Sequence, residues 1–224
     1  MPVSISADQQ SGISSSAVAL GPSARLPDPP TSFIGRENEI ADLLTIFGRP
    51  DARLVTLNGP GGVGKTRLAI RLAQTIAADA GTTVAFVPLA SVRDPSLVAA
   101  TIGAAFELSD SGAQSLAERL STILEDTPVL LVLDNFEHLV DAAPVTRLLL
   151  DACPSLSILT TSRRPLHVSG EIEFSVSPLA TPAPDDSRER IEQTVLLASL
   201  CRTITSGFAR RARLNKAARY RDYR

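Results

Sequence analysis

Cysteine is scarce. Cys153 and Cys201 are the only two, they stand far apart, and their spacing is not that of metal ligands. A reduced cytoplasmic protein is therefore expected, rather than a disulfide scaffold or a zinc site. Charge of one sign is lacking too. The net charge of −2 gives no global case for a nucleic-acid or membrane partner. No apolar run is long enough to cross a bilayer. The N-terminus lacks the basic region and apolar core of a signal peptide. No internal repeat is visible. What remains is an ordinary globular mixture, 44% hydrophobic and 21% charged, with room for one domain and its appendages.

Residues 1–30 are rich in Ser, Ala, Gly and Pro without periodicity, and read as a disordered leader. From 31 to 180 short apolar runs alternate with amphipathic stretches. Strands are expected at Leu54–Asn58, Thr83–Val87, Pro128–Leu133, Leu156–Thr161 and Glu171–Val176. Ile40, Leu43, Leu44 and Phe47 fall at helical spacing ahead of the first strand. Further helices are expected from Lys65 to about Asp79, from Asp94-Pro95 to near Phe106, from about Gln114 to Glu125, and from Ala143 to Ala152. In the helix from about Gln114 to Glu125, Leu116, Leu120, Ile123 and Leu124 form the expected buried stripe. Such alternation predicts an α/β fold: a three-layer sandwich around a mainly parallel five-stranded sheet. Residues 181–187 read as a linker and 188–200 as one more helix. The Arg-rich remainder has few core residues, so poor order is expected there. It could meet phosphates, but only Tyr220 and Tyr223 interleave with its arginines. A solvated end is the favoured reading.

The stretch that organises the chain is Gly59-Pro60-Gly61-Gly62-Val63-Gly64-Lys65-Thr66. Gly, four residues, Gly, Lys, Thr between a strand and a helix is the phosphate-binding loop of P-loop NTPases. Its glycines allow backbone N–H groups to converge on phosphate oxygens, and the helix N-terminus adds partial positive charge. Lys65 can reach the β- and γ-phosphates, and the Thr66 hydroxyl can hold Mg²⁺. The nucleotide-binding set is Gly59, Gly61, Gly62, Val63, Gly64, Lys65, Thr66 and Arg67.

Asp134 closes the apolar run Val129–Leu133, the position of an acid that binds the Mg²⁺ bridging β- and γ-phosphates. Thr66 and Asp134 are thus the expected metal ligands. Glu137 is the candidate for orienting or deprotonating the attacking water, or else it caps the next helix. Asn135, rather than an acid, follows Asp134, which argues against fast hydrolysis. His138 reads as a packing or surface residue. Arg163, at the end of the fourth strand, can sense the γ-phosphate, with Arg164 as the alternative. Lys65, Asp134, Glu137 and Arg163 form the candidate catalytic set.

Together with Phe33-Ile34-Gly35-Arg36-Glu37-Asn38-Glu39, Leu131-Val132-Leu133-Asp134-Asn135-Phe136-Glu137-His138-Leu139 and Leu159-Thr160-Thr161-Ser162-Arg163, the loop resembles STAND-class NTPases. The chain is most similar to the NB-ARC-like ATPase module of bacterial LuxR-type and SARP-type transcriptional regulators, over about residues 32–180. The resemblance implies that the Arg163 strand lies between the loop strand and the Asp134 strand. It implies that Ile34, Gly35 and Arg36 lie near adenine and ribose, with ATP or ADP and Mg²⁺ as cofactors. It also implies a switch in which ADP holds a closed monomer and ATP opens it for assembly. The family's helical domain, winged helix and DNA-binding domain do not follow. The chain reads as a truncated module, so direct DNA binding by it is not expected, and the partners implied are a second copy of the chain or regulator domains missing from it.

Three other readings compete. A metabolic P-loop kinase needs an acceptor site and an Arg-bearing lid, and no lid segment is evident. A GTPase needs Asn-Lys-x-Asp, but Asn215-Lys216 is followed by Ala217-Ala218. A truncated interaction fragment would have lost nucleotide binding.

Overall fold

The computed structural model describes residues 18–31, 33–78, 82–108, 115–125 and 127–179. The expected helix at 188–200, the basic tail, Cys201 and the first part of the leader lie outside the described residues. The strands are β1 (Leu54–Asn58), β2 (Thr83–Pro88), β3 (Val129–Asp134), β4 (Leu156–Thr161) and β5 (Glu171–Ser175). They form one five-stranded sheet in the order β2-β3-β4-β1-β5, and every pairing is parallel. β4 therefore lies between β1 and β3, as the resemblance implied.

Period-two alternation sorts the strand side chains onto two faces. Val129, Leu131 and Leu133 of β3 join one buried cluster, with Val98, Ile102, Leu120, Leu124, Leu149 and Leu150. These come from α3 (Leu97–Ala105), α4 (Leu116–Leu124) and α5 (Ala143–Ala152). Leu130 and Val132 turn the other way, towards Leu43, Leu44, Phe47, Leu68, Leu72 and Ile76. Those residues line α1 (Glu37–Gly48) and α2 (Lys65–Ala77). A central parallel strand buried on both faces must be apolar throughout, which is why β3 reads as an unbroken run.

Three local expectations change. The helix expected from Asp94 starts at Leu97, because the Asp94 carboxylate accepts from both the N–H and the hydroxyl of Ser96 and holds a turn. In α4 only Leu120 and Leu124 are buried, and Ile123 is exposed. A capping box of Ser115 and Glu118 fixes where that helix begins. Residues 18–30, expected in the leader, are packed. The Gly21 N–H donates to Ala105 O at 3.0 Å. Val18, Leu20 and the fully buried Ala24 join the α3 face, while Leu26 joins the α1/α2 face. The segment thus crosses beside β2, at the edge of the sheet, from one layer to the other.

At the amino ends of the strands, Arg53 holds two carbonyls. Its Nε donates to Leu156 O at 3.0 Å, and its Nη2 donates to Cys153 O.

Leu131→Ala is expected to lower unfolding free energy by about 2–5 kcal/mol, since the side chain is fully buried at the centre of the sheet. Leu148→Ala, on an α5 side chain 62% exposed, is expected to stay within about 0.5 kcal/mol. Urea denaturation measures both.

Candidate functional site

The site forms at the carboxyl ends of β1, β3 and β4, where ligands meet parallel sheets. The Val176 N–H donates to Asn58 O at 2.8 Å, so the exit from β5 runs beside the loop that follows β1. A Cβ on Gly59 would meet Val176 O at 2.7 Å, and its φ is +146°. Only glycine fits there. Gly64, at φ 94°, caps α2 in the left-handed region. The first-turn N–H groups of α2 then face the concave side of the loop.

Lys65 is 9% exposed and folds back over the loop. Its Nζ donates to Gly59 O at 2.8 Å and Pro60 O at 2.9 Å. Burial lowers its pKa. The Glu137 carboxylate opposes that shift, the Arg163 guanidinium adds to it, and Asp134 opposes it.

Asp134 is buried and receives two hydroxyls on one oxygen. Thr66 Oγ1 donates to Asp134 Oδ1 at 2.7 Å, and Thr161 Oγ1 donates to it at 2.6 Å. The Thr161 hydroxyl also accepts from the Asn135 N–H at 2.9 Å. That bond steadies Asn135 in the left-handed region, at φ 63°. Sequence reasoning assigned Thr161 no role. Its signal was register: Leu133 pairs with Thr160, so the next residue of β4 falls level with Asp134. Carboxylate and hydroxyl are hard oxygen donors and suit Mg²⁺ better than zinc. Among the described residues no group of three or more His, Cys, Asp or Glu could hold a metal. A cation here would take Thr66 and Asp134 from the chain and its remaining ligands from phosphate and water, as Mg²⁺ characteristically does.

Glu137 sits in the turn Phe136–His138 and does not cap a helix. Its Oε1 accepts from Arg163 Nε at 3.2 Å. Its Oε2 is buried without a hydrogen-bond partner among the described residues. Arg163 lies over the loop, with its guanidinium 3.8 Å from where a Cβ on Gly61 would stand. Its side chain is 64% exposed, so the pair with Glu137 is worth only about 0–1 kcal/mol and is easily exchanged for an anion. Glu137, His138, Arg163 and Arg164 line a cleft of about 350 Å³. His138 Nε2 pairs with Val92 O at 2.7 Å, which is a packing role.

On the other side of the loop, Phe33, Ile34, Arg36, Gly64, Arg67 and Leu179 line a cavity of about 230 Å³. Ile34 and Leu179 present exposed apolar surface there. Arg67 reaches back to Thr31 O at 2.8 Å. The Gly35 N–H donates to Glu37 Oε1 at 3.2 Å. Arg36 lines the cavity without offering its guanidinium freely: that group is buried and donates to Val63 O, Ser177 O and Glu39 Oε1.

A parallel sheet with this loop, lysine and strand-end carboxylate defines a P-loop NTPase domain. Residues 32–166 match the AAA ATPase domain family, more than half of the chain, and the chain belongs to that family. A Mycobacterium tuberculosis protein provisionally named an HTH-type transcriptional regulator is 46% identical over 125 residues, 55% of this chain and 14% of that protein. An uncharacterized protein of the same organism is 40% identical over 151 residues, 67% of this chain and 38% of that protein. The chain therefore spans less than two-fifths of either relative. Among solved structures, Drosophila ORC bound to DNA superposes with a TM-score of 0.51 at 16% identity, covering 84% of this chain and 56% of that one. That likeness concerns the fold alone.

Thr161→Val keeps the shape of the side chain but removes the hydroxyl. It leaves the Asn135 N–H unpaired and Asp134 with one donor fewer. The expected loss of stability is about 1–3 kcal/mol by denaturant unfolding, and Thr161→Ser is expected to recover most of it.

Proposed function

We propose that the chain is a Mg²⁺-dependent adenine-nucleotide switch with slow ATP hydrolysis, serving as the nucleotide-binding part of a transcriptional regulator. The observation that carries this reading is the 2.7 Å contact between Thr66 of the loop and Asp134 of β3. It places the two expected Mg²⁺ ligands side by side at the phosphate loop. When bound, Mg²⁺ neutralises charge between the β- and γ-phosphates.

Gly61, Gly62, Val63 and Gly64 offer backbone N–H groups to the phosphates, and Lys65 exchanges the carbonyls of Gly59 and Pro60 for phosphate oxygens. Asp134 and Thr161 keep the Thr66 hydroxyl aimed at the metal position. Phe33, Ile34 and Leu179 supply an apolar wall suited to a nucleobase, with Arg36, Gly64 and Arg67 beside it. Glu137 Oε2, buried and without a hydrogen-bond partner among the described residues, has an acceptor free for an attacking water. Asn135 supplies no second acid next to Asp134, which supports slow turnover and a switching role. Arg163 leaves its weak pair with Glu137 when a γ-phosphate arrives, so one side chain reports the third phosphate and frees the general base. The name of the mycobacterial relative supports the regulatory setting.

Isothermal titration is the test. Lys65→Ala is expected to weaken MgADP and MgATP binding by about a hundredfold, consistent with losing a charged hydrogen-bond donor. Unchanged affinity would refute the reading. Arg163→Ala is expected to weaken MgATP about tenfold while leaving MgADP nearly unchanged. Glu137→Gln should abolish phosphate release in a single-turnover assay without lowering MgATP affinity.

A further inference from the structure

Arg36 ends on groups that no nucleotide would supply. Its side chain is 4% exposed. It donates to Val63 O at 2.7 Å and to Ser177 O at 2.9 Å, and Glu39 Oε1 at 2.9 Å balances the charge. Val63 O belongs to the peptide that joins Val63 to Gly64. That peptide is trans, so its C=O and N–H point in opposite directions. Holding the carbonyl outward turns the Gly64 N–H inward, to the concave side of the loop, where a phosphate would meet it. Gly64 has no side chain and tolerates either sign of φ, so nothing on Gly64 itself stops the peptide from turning over. A charge-assisted bond, about twice as strong as a neutral one, supplies the missing restraint from outside the loop.

We propose that Arg36 is a positioning residue: it locks the Val63–Gly64 peptide in its phosphate-binding orientation and ties it to Ser177, where the chain leaves β5. The proposal rests on the nucleotide reading above and goes beyond it. It assigns Arg36 to the phosphate end of the ligand, not to the base and ribose. It also couples Ser177 to any turn of that peptide, because both carbonyls accept from one guanidinium nitrogen.

The experiment uses the full chain and two probes, MgADP and Mg²⁺-pyrophosphate, titrated calorimetrically into wild type, Arg36→Met, Arg36→Lys and Arg53→Met. Arg53 is the control, since it also holds two carbonyls but at the far end of the sheet. Arg36→Met is expected to weaken both probes by the same factor, about tenfold or more. Arg36→Lys should lose less, because an ammonium keeps the charge and can still donate to a carbonyl, although it lacks the fixed fork by which the guanidinium holds Glu39 and the two carbonyls together. Arg53→Met should lower Tm and leave both affinities unchanged. A loss confined to MgADP would place Arg36 at the base and overturn the proposal. Unchanged affinities in the Arg36 variants, or equal losses in Arg53→Met, would overturn it as well. If Arg36→Met does not fold, Arg36→Lys carries the same comparison. Wild type that binds neither probe refutes the nucleotide reading itself. Wild type that binds while the Arg36 variants match it refutes only this proposal.

Discussion

One carboxylate oxygen joins three elements of the molecule. Asp134 Oδ1 takes the hydroxyls of Thr66 and Thr161, and so fastens the start of α2 and the end of β4 to the end of β3. Each hydroxyl would cost free energy if buried unpaired, and so would the carboxylate. The three groups are mutually satisfied only if the sheet keeps its order, with β4 between β1 and β3. Strand order and site geometry are therefore one constraint. A slip of β4 by one residue would turn the Thr161 hydroxyl to the other face of the sheet.

Most of the fold was legible in the sequence, because its signals are local. The run through Val129–Leu133 and the spacing of Leu68, Leu72 and Ile76 each reflect a period set within a few residues. The phosphate loop is also self-contained, since its glycines, lysine and threonine act on neighbouring backbone. The parts that were not legible depend on distant partners. Arg36 meets Ser177 across 141 positions, and Gly21 meets Ala105. No pattern near either residue announces such a meeting. Thr161 lay in a stretch singled out for Arg163, but its task follows from β-sheet register, which one strand alone does not reveal.

Two kinds of contact surround the loop, and they differ in how easily they yield. The pair between Arg163 and Glu137 is solvent-facing and weak, so it suits a group that must change partners. The bonds of Arg36 and Thr161 are buried and charge-assisted, so they suit groups that must stay in place. Lys65 falls between the two. It is held by two carbonyls while burial disfavours its charge, and an arriving phosphate would relieve both conditions. The division follows depth. Exposure decides which side chains can report a ligand and which can only frame it.

The segment beside β2 and the strand β5 share a property that neither shows alone. The AAA match spans residues 32–166, whereas the segment is built from residues 18–31 and β5 from Glu171–Ser175. The matched span thus holds four strands, β1 to β4, and both rims of that slab are finished by chain from outside it. Open rims are where sheets recruit foreign strands and aggregate. In this chain the cover on β2 and the strand beside β1 come from residues on opposite sides of the matched span in sequence, so the two rims are closed independently of one another.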